Sequence, residues 1–124
     1  TMITTDEMRE FAKLRRLSPE VTGALVRMRQ KAYSDGVVPG KYKGLTALAL
    51  SVALRCEPCV HAYVQKLRKE YAISREELVE FLEVAMTMQG CPGEEWALKA
   101  LSFWERLGAV AVEGGSTPEE SCCS

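Results

Sequence analysis

Residues 44–63 read GLTALALSVALRCEPCVHAY, and the fold class turns on their first half. From Leu45 to Leu54 the chain is apolar nearly all round, so spacing alone does not separate a buried strand from a buried helix. Ala47, Ala49 and Ala53 favour helix, and no run of β-branched residues argues for strand. The reading is a central buried helix from Gly44 to Arg55. Pro58 then stands where a second helix can begin, because proline suits a first helical turn. Val60, Tyr63, Val64, Leu67 and Tyr71 give that helix one apolar stripe, with Lys66, Arg68, Lys69 and Glu70 mainly facing water.

Helical punctuation continues on both sides. Downstream, Ser74-Arg75-Glu76-Glu77 is a capping box, followed by a stripe of Leu78, Phe81, Leu82, Ala85 and Met88 that ends near Gly90. Pro92-Gly93 reads as a break. Glu94 and Glu95 suit the positive end of a last helix, in which Trp96, Ala97, Ala100, Leu101, Trp104 and Leu107 face inward and which Gly108 closes. Upstream, Ser18-Pro19-Glu20 starts a helix with Val21, Ala24, Leu25, Met28 and Ala32 as its buried stripe. Ser34-Asp35-Gly36 stops it, and Val37 to Lys43 is a short loop. Asp6 to Leu17 makes a first helix, whose Arg9, Lys13, Arg15 and Arg16 form a solvated face. No segment has a convincing strand period. The predicted fold is all-α, one compact domain of about six helices over residues 1–112. From Glu113 the composition turns to Gly, Ser, Pro and Glu, which reads as a mobile acidic tail over 113–124.

A length of 124 residues suits one hydrophobic core, and 47% hydrophobic with 27% charged residues is ordinary globular composition. Sixteen Lys+Arg against seventeen Asp+Glu leave a formal charge of -1, so neither nucleic acid nor an anionic membrane is expected as a partner. The run Leu45 to Leu54 is too short to span a bilayer, which needs about 20 residues. With no basic-then-apolar leader in the sequence, the expected compartment is the cytoplasm.

Cysteine is the unusual component: Cys56, Cys59, Cys91, Cys122 and Cys123. An odd number without a leader does not read as a secreted disulfide scaffold. In a reducing compartment, Cys56-Glu57-Pro58-Cys59 reads as redox chemistry or as half a metal site. Both thiols fall in or beside the first turn of the helix that begins near Pro58. Its positive end favours a thiolate by roughly 0.3–1 kcal/mol, less than one pKa unit, and Glu57 opposes it. Helix placement alone therefore activates the pair only partly. Cys91 reads as a packed residue at a helix end, and Cys122 and Cys123 as incidental tail residues.

Residues Gly36 to Leu107 resemble the alkyl hydroperoxidase D-like branch of the carboxymuconolactone decarboxylase family. The correspondence runs through the alanine- and leucine-rich helix into Cys56-Glu57-Pro58-Cys59, through Ala72-Ile73-Ser74-Arg75-Glu76-Glu77, and through Met88-Gln89-Gly90-Cys91-Pro92. The resemblance implies an all-α fold assembled into trimers or hexamers. It also implies a thiol-dependent antioxidant oxidoreductase in which Cys56 and Cys59 cycle between dithiol and disulfide. The substrate would be a peroxide or a small disulfide, the electron donor a thiol protein, and no cofactor or metal is implied.

In redox-competent members a glutamate twelve residues before the first cysteine, and a histidine four residues after the second, relay protons. Here those positions are Gly44 and Tyr63. Tyrosine, with an unperturbed pKa near 10, is a poorer base at neutral pH than histidine near 6.5. The sole histidine, His61, lies about 200° round the helix from Cys59 and reads as a surface residue. It stands four residues after Glu57, so the two can pair on one helical face. The candidate site is therefore Cys56, Cys59, His61 and Tyr63. The alternatives are a catalytically weakened oligomer acting as a redox sensor or interaction protein, and a zinc site built on Cys56, Cys59, His61 and Cys91. A homo-oligomer is expected on physical grounds too. The all-round apolar helix, together with Trp96, Phe103 and Trp104, offers more apolar surface than six short helices readily cover.

Overall fold

The computed structural model describes residues 5–114, which form six α-helices: α1 (Thr5–Leu17), α2 (Pro19–Ala32), α3 (Gly40–Leu54), α4 (Glu57–Glu70), α5 (Arg75–Gln89) and α6 (Cys91–Gly114). No strand occurs among the described residues. The all-α architecture is as the sequence implied. None of these helices is long and apolar enough to cross a membrane.

Helices α3 to α6 enclose the core. Leu45, Leu48 and Val52 of α3 meet Val60, Val64 and Leu67 of α4, with Leu78 and Leu82 of α5 and Ala100, Phe103 and Trp104 of α6 closing the sides. Phe103 and Trp104 lie fully inside the protomer's own core, and the Arg68 guanidinium stacks 4.5 Å from the Trp104 ring. Of the three aromatic residues near the end of the chain, Phe103 and Trp104 are thus covered by the protomer itself, while Trp96 is only partly buried. Helix α5 starts on the expected capping box: the Glu77 amide donates to Ser74 Oγ at 3.1 Å and the Ser74 amide to Glu77 Oε1 at 3.0 Å. Lys41 clamps the same carboxylate at 2.6 Å, which holds Glu77 below its ordinary pKa and ties α3 to α5.

Four boundaries and faces differ from the sequence reading. Helix α3 begins at Gly40, so half of the expected loop is helical. It is buried along Gly44, Leu45, Leu48 and Val52, yet Leu50 and Leu54 reach solvent. Pro92 and Gly93 lie inside the first turn of α6 rather than between helices, because proline costs no helical hydrogen bond there. Helix α6 also runs through Gly108, which is buried, to Gly114, since Ala109 and Ala111 are strong helix formers. Glu113 and Gly114 are therefore helical, while the remainder of the expected tail, with Cys122 and Cys123, lies outside the described residues.

The largest correction concerns α2. Its amphipathic stripe is real, but no residue of α2 is buried, and Val21 and Met28 are 64% and 60% exposed. Helices α1 and α2 pack on one another and stand off from the four-helix core. A spacing of i, i+3, i+4 reports an apolar face without saying what covers it. The link to the core is Tyr33, the α2 C-cap residue. Its hydroxyl hydrogen-bonds Tyr63 of α4 at 2.6 Å, and its carbonyl accepts from the Tyr71 hydroxyl at 3.2 Å. Gly40 makes this possible. A Cβ there would lie 2.5 Å from the Tyr33 carbonyl oxygen and 2.8 Å from the Tyr71 hydroxyl. Gly40→Ala should consequently destabilise the protein by about 1–3 kcal/mol through overpacking, read as a lower urea midpoint. An unchanged midpoint would show that the Tyr33–Tyr71 link carries no weight.

Candidate functional site

The site is built where α3 turns into α4. Helix α3 ends at Arg55, whose backbone is left-handed (φ 54°, ψ 42°) and whose amide donates to the Val52 carbonyl. The chain then reverses. The Cys56 amide reaches back to the Ser51 carbonyl at 3.0 Å, while the Cys56 carbonyl accepts from Val60 and opens α4. Cys56 is thus the N-cap of α4, and Cys59 sits in its first turn behind Glu57 and Pro58. The two Cα atoms are 5.2 Å apart and the sulfurs are joined in a disulfide. Both cysteines are half-buried at the positive end of the helix.

Beside them lies a cleft of about 570 Å³ between the α1–α2 pair and the start of α4. Pro58, Cys59, His61, Tyr63 and Lys66 line it from α4; Phe11, Arg15, Val26, Arg29 and Tyr33 line it from the α1–α2 pair. Cys59 faces this space, and Cys56 is not among its lining residues. Tyr63 stands one turn beyond Cys59. Its ring meets Tyr33 edge-on at 5.5 Å, and the two hydroxyls share their hydrogen bond across the cleft wall. Burial, followed by that bond, pushes the Tyr33 phenol up to about 12, although Arg29 pulls the other way.

His61 is not a surface residue. Its side chain is only 5% exposed and stacks on Phe103 with ring centroids 4.2 Å apart, because α6 crosses α4 at that level. The predicted pairing with Glu57 is present as an Nε2–Oε1 separation of 3.9 Å. Gly44 lies elsewhere. Its Cβ direction meets Leu67 and Tyr71, eight and twelve residues beyond Cys59, or roughly 12–18 Å along α4. The structure therefore brings Cys56, Cys59, His61 and Tyr63 to one end of α4 and leaves Gly44 at the other. Cys91 is exposed at the start of α6 rather than packed. Among the described residues, no group of three His, Cys, Asp or Glu side chains could hold a metal ion, so the zinc reading finds no third ligand. Tyr33, Arg29 and Arg15 are the site residues that sequence reasoning missed. Arg15 is exposed, as expected of the solvated face of α1, and also borders the cleft, while Tyr33 ends a helix without any motif around it.

A family model described as "Carboxymuconolactone decarboxylase family" matches residues 19–103. An uncharacterized protein of Cupriavidus necator is 33% identical over 105 residues, which is 85% of this chain and 92% of that protein. The crystal structure of an apo carboxymuconolactone decarboxylase family protein from Legionella pneumophila superposes with a TM-score of 0.78 at 37% identity, covering 83% of this chain and 91% of that one.

The tyrosine pair yields a spectroscopic expectation. Tyr33 has a folded pKa above its unfolded value near 10, so its hydroxyl stabilises the fold fully below pH 10. That contribution is lost as the pH rises through about 12. Absorbance titration at alkaline pH should show one tyrosine ionising last, near 12, and Tyr33→Phe should remove that late step. A wild-type titration with no step near 12 would contradict the hydrogen-bonded pair.

Proposed function

Because the chain belongs to the carboxymuconolactone decarboxylase family, we propose that it works as a thiol-dependent peroxidase of the alkyl hydroperoxidase D-like kind, cycling Cys56 and Cys59 between dithiol and disulfide. The observation that carries this reading is the Cys56–Cys59 disulfide at the start of α4, with Cys59 open to the cleft. In the reduced protein, Cys59 attacks the outer oxygen of a hydroperoxide. The O–O bond breaks, the alcohol leaves with a proton, and Cys59 becomes a sulfenic acid. Cys56 then attacks that sulfur and releases water as the disulfide forms. The sum is hydroperoxide plus dithiol to alcohol, water and disulfide. A thiol-protein donor restores the dithiol in a reducing compartment such as the cytoplasm.

Tyr63, one turn from Cys59, supplies a hydrogen bond to the departing alkoxide, and Tyr33 orients it. His61, beside Glu57 and on the cleft wall, is the second candidate for proton transfer. The packing of Gly44 against Leu67 and Tyr71 puts no carboxylate near the sulfurs from that position, which favours a slow enzyme or a redox sensor as the second reading. Trimeric or hexameric assembly fits the apolar side chains left in solvent, such as Leu17, Val21, Met28, Leu50 and Leu54. Light scattering at low micromolar concentration should exceed the 13.8 kDa of a monomer.

The test is trapping. Cys56→Ser, treated with a hydroperoxide, should accumulate a dimedone-reactive sulfenic acid at Cys59, while Cys59→Ser should consume no peroxide. Tyr63→Phe should slow turnover by about a hundredfold, the lower end of general-acid contributions. Undiminished peroxidase activity in Cys59→Ser would overturn the reading.

A further inference from the structure

We infer that the cleft beside Cys59 is specific for a substrate with an apolar body and a carboxylate end, the carboxylate held by Arg15 and Arg29. This rests on the peroxidase reading for the reacting group and on the cleft itself for the rest. The whole chain carries a formal charge of -1, yet the cleft is lined by Arg15, Arg29 and Lys66, with no Asp or Glu among its lining residues. Glu70 and Glu57, which approach two of the lining residues, are not themselves among them. Glu70 holds Lys66 at 2.7 Å, and Glu57 lies 3.9 Å from His61. That leaves two guanidinium groups, on α1 and α2, on the side of the cleft that faces α4. Arg29 and Tyr33 line the same wall of the cleft.

The rest of the wall is apolar or aromatic, from Phe11, Val26, Pro58 and the Tyr33–Tyr63 pair. A volume of about 570 Å³ suits a small organic molecule and exceeds what hydrogen peroxide needs. Arginine forks match a carboxylate in two-point contact, and the apolar wall favours a hydrocarbon body. The inferred substrate is thus an organic hydroperoxide bearing a carboxylate, as in an oxidised fatty acid. The dithiol supplies the two electrons, and the products are the hydroxy acid, water and the Cys56–Cys59 disulfide. The α1–α2 pair, which contributes nothing to the core, acquires a role as the wall that selects the substrate.

The experiment separates binding from turnover. Octanoate and 1-octanol are titrated into the oxidised protein and into the double variant Arg15→Gln/Arg29→Gln, with circular dichroism confirming that the variant folds. Octanoate should bind wild type about three- to tenfold more tightly than octanol. That advantage should vanish in the double variant and shrink in high salt, because both arginines are exposed. In parallel, linoleic acid hydroperoxide is compared with its methyl ester as substrate of the reduced protein. The variant should raise KM for the acid and leave KM for the methyl ester unchanged. Equal binding of octanoate and octanol, or an octanoate advantage that survives the double variant, overturns the inference. If binding behaves as expected but neither hydroperoxide is turned over, the cleft assignment stands and the peroxidase reading fails.

Discussion

The left-handed backbone of Arg55 is the constraint on which the rest depends. A non-glycine residue in that region costs roughly 1–2 kcal/mol, so it persists only where the surrounding packing insists on it. Here α3 and α4 lie side by side with Leu45, Leu48 and Val52 sealed against Val60, Val64 and Leu67. Burial of side chains of this size is worth about 1.5–3 kcal/mol each, so the six together outweigh the strain several times over. The turn that lets the helices fold back also sets Cys56 at the N-cap and Cys59 in the first turn, close enough for a disulfide. Core packing and redox geometry are in that sense one arrangement.

From this corner the molecule divides into a rigid body and an attached wall. The four-helix core is closed by long apolar side chains and by the Lys41–Glu77 clamp onto the α5 cap. Helix α2 has no buried residue, and the α1–α2 pair is tied to the core through the hydroxyl and carbonyl of Tyr33. Lys66 adds to that tie, its ammonium lying 5.8 Å from the Tyr33 ring and 5.7 Å from the Tyr71 ring. Cys59 sits on the firm side and the selecting charges on the other.

Much of this was legible in the sequence, and the failures have physical causes. Ser74-Arg75-Glu76-Glu77 and Pro58 located helix starts because capping is local chemistry. The Cys56–Cys59 pairing followed from a resemblance and agrees with the structure. His61 was misjudged because its burial depends on Phe103, forty-two residues away, where no periodicity on α4 could point. Val21 and Met28 were misjudged for the converse reason: an apolar stripe promises a partner without naming one. Tyr33 carried no motif and became visible only once Tyr63 was seen across from it.

The central claim is that Cys56 and Cys59 are a working redox pair. It is tested most directly by a single turnover of the reduced wild-type protein with one equivalent of an organic hydroperoxide, followed by alkylation and peptide mass analysis. The account predicts one equivalent of alcohol formed, both thiols lost together, and a Cys56–Cys59 linked peptide as the dominant product, with Cys91 still alkylated. Peroxide left unreduced, or consumed while Cys56 and Cys59 remain alkylatable, would contradict it.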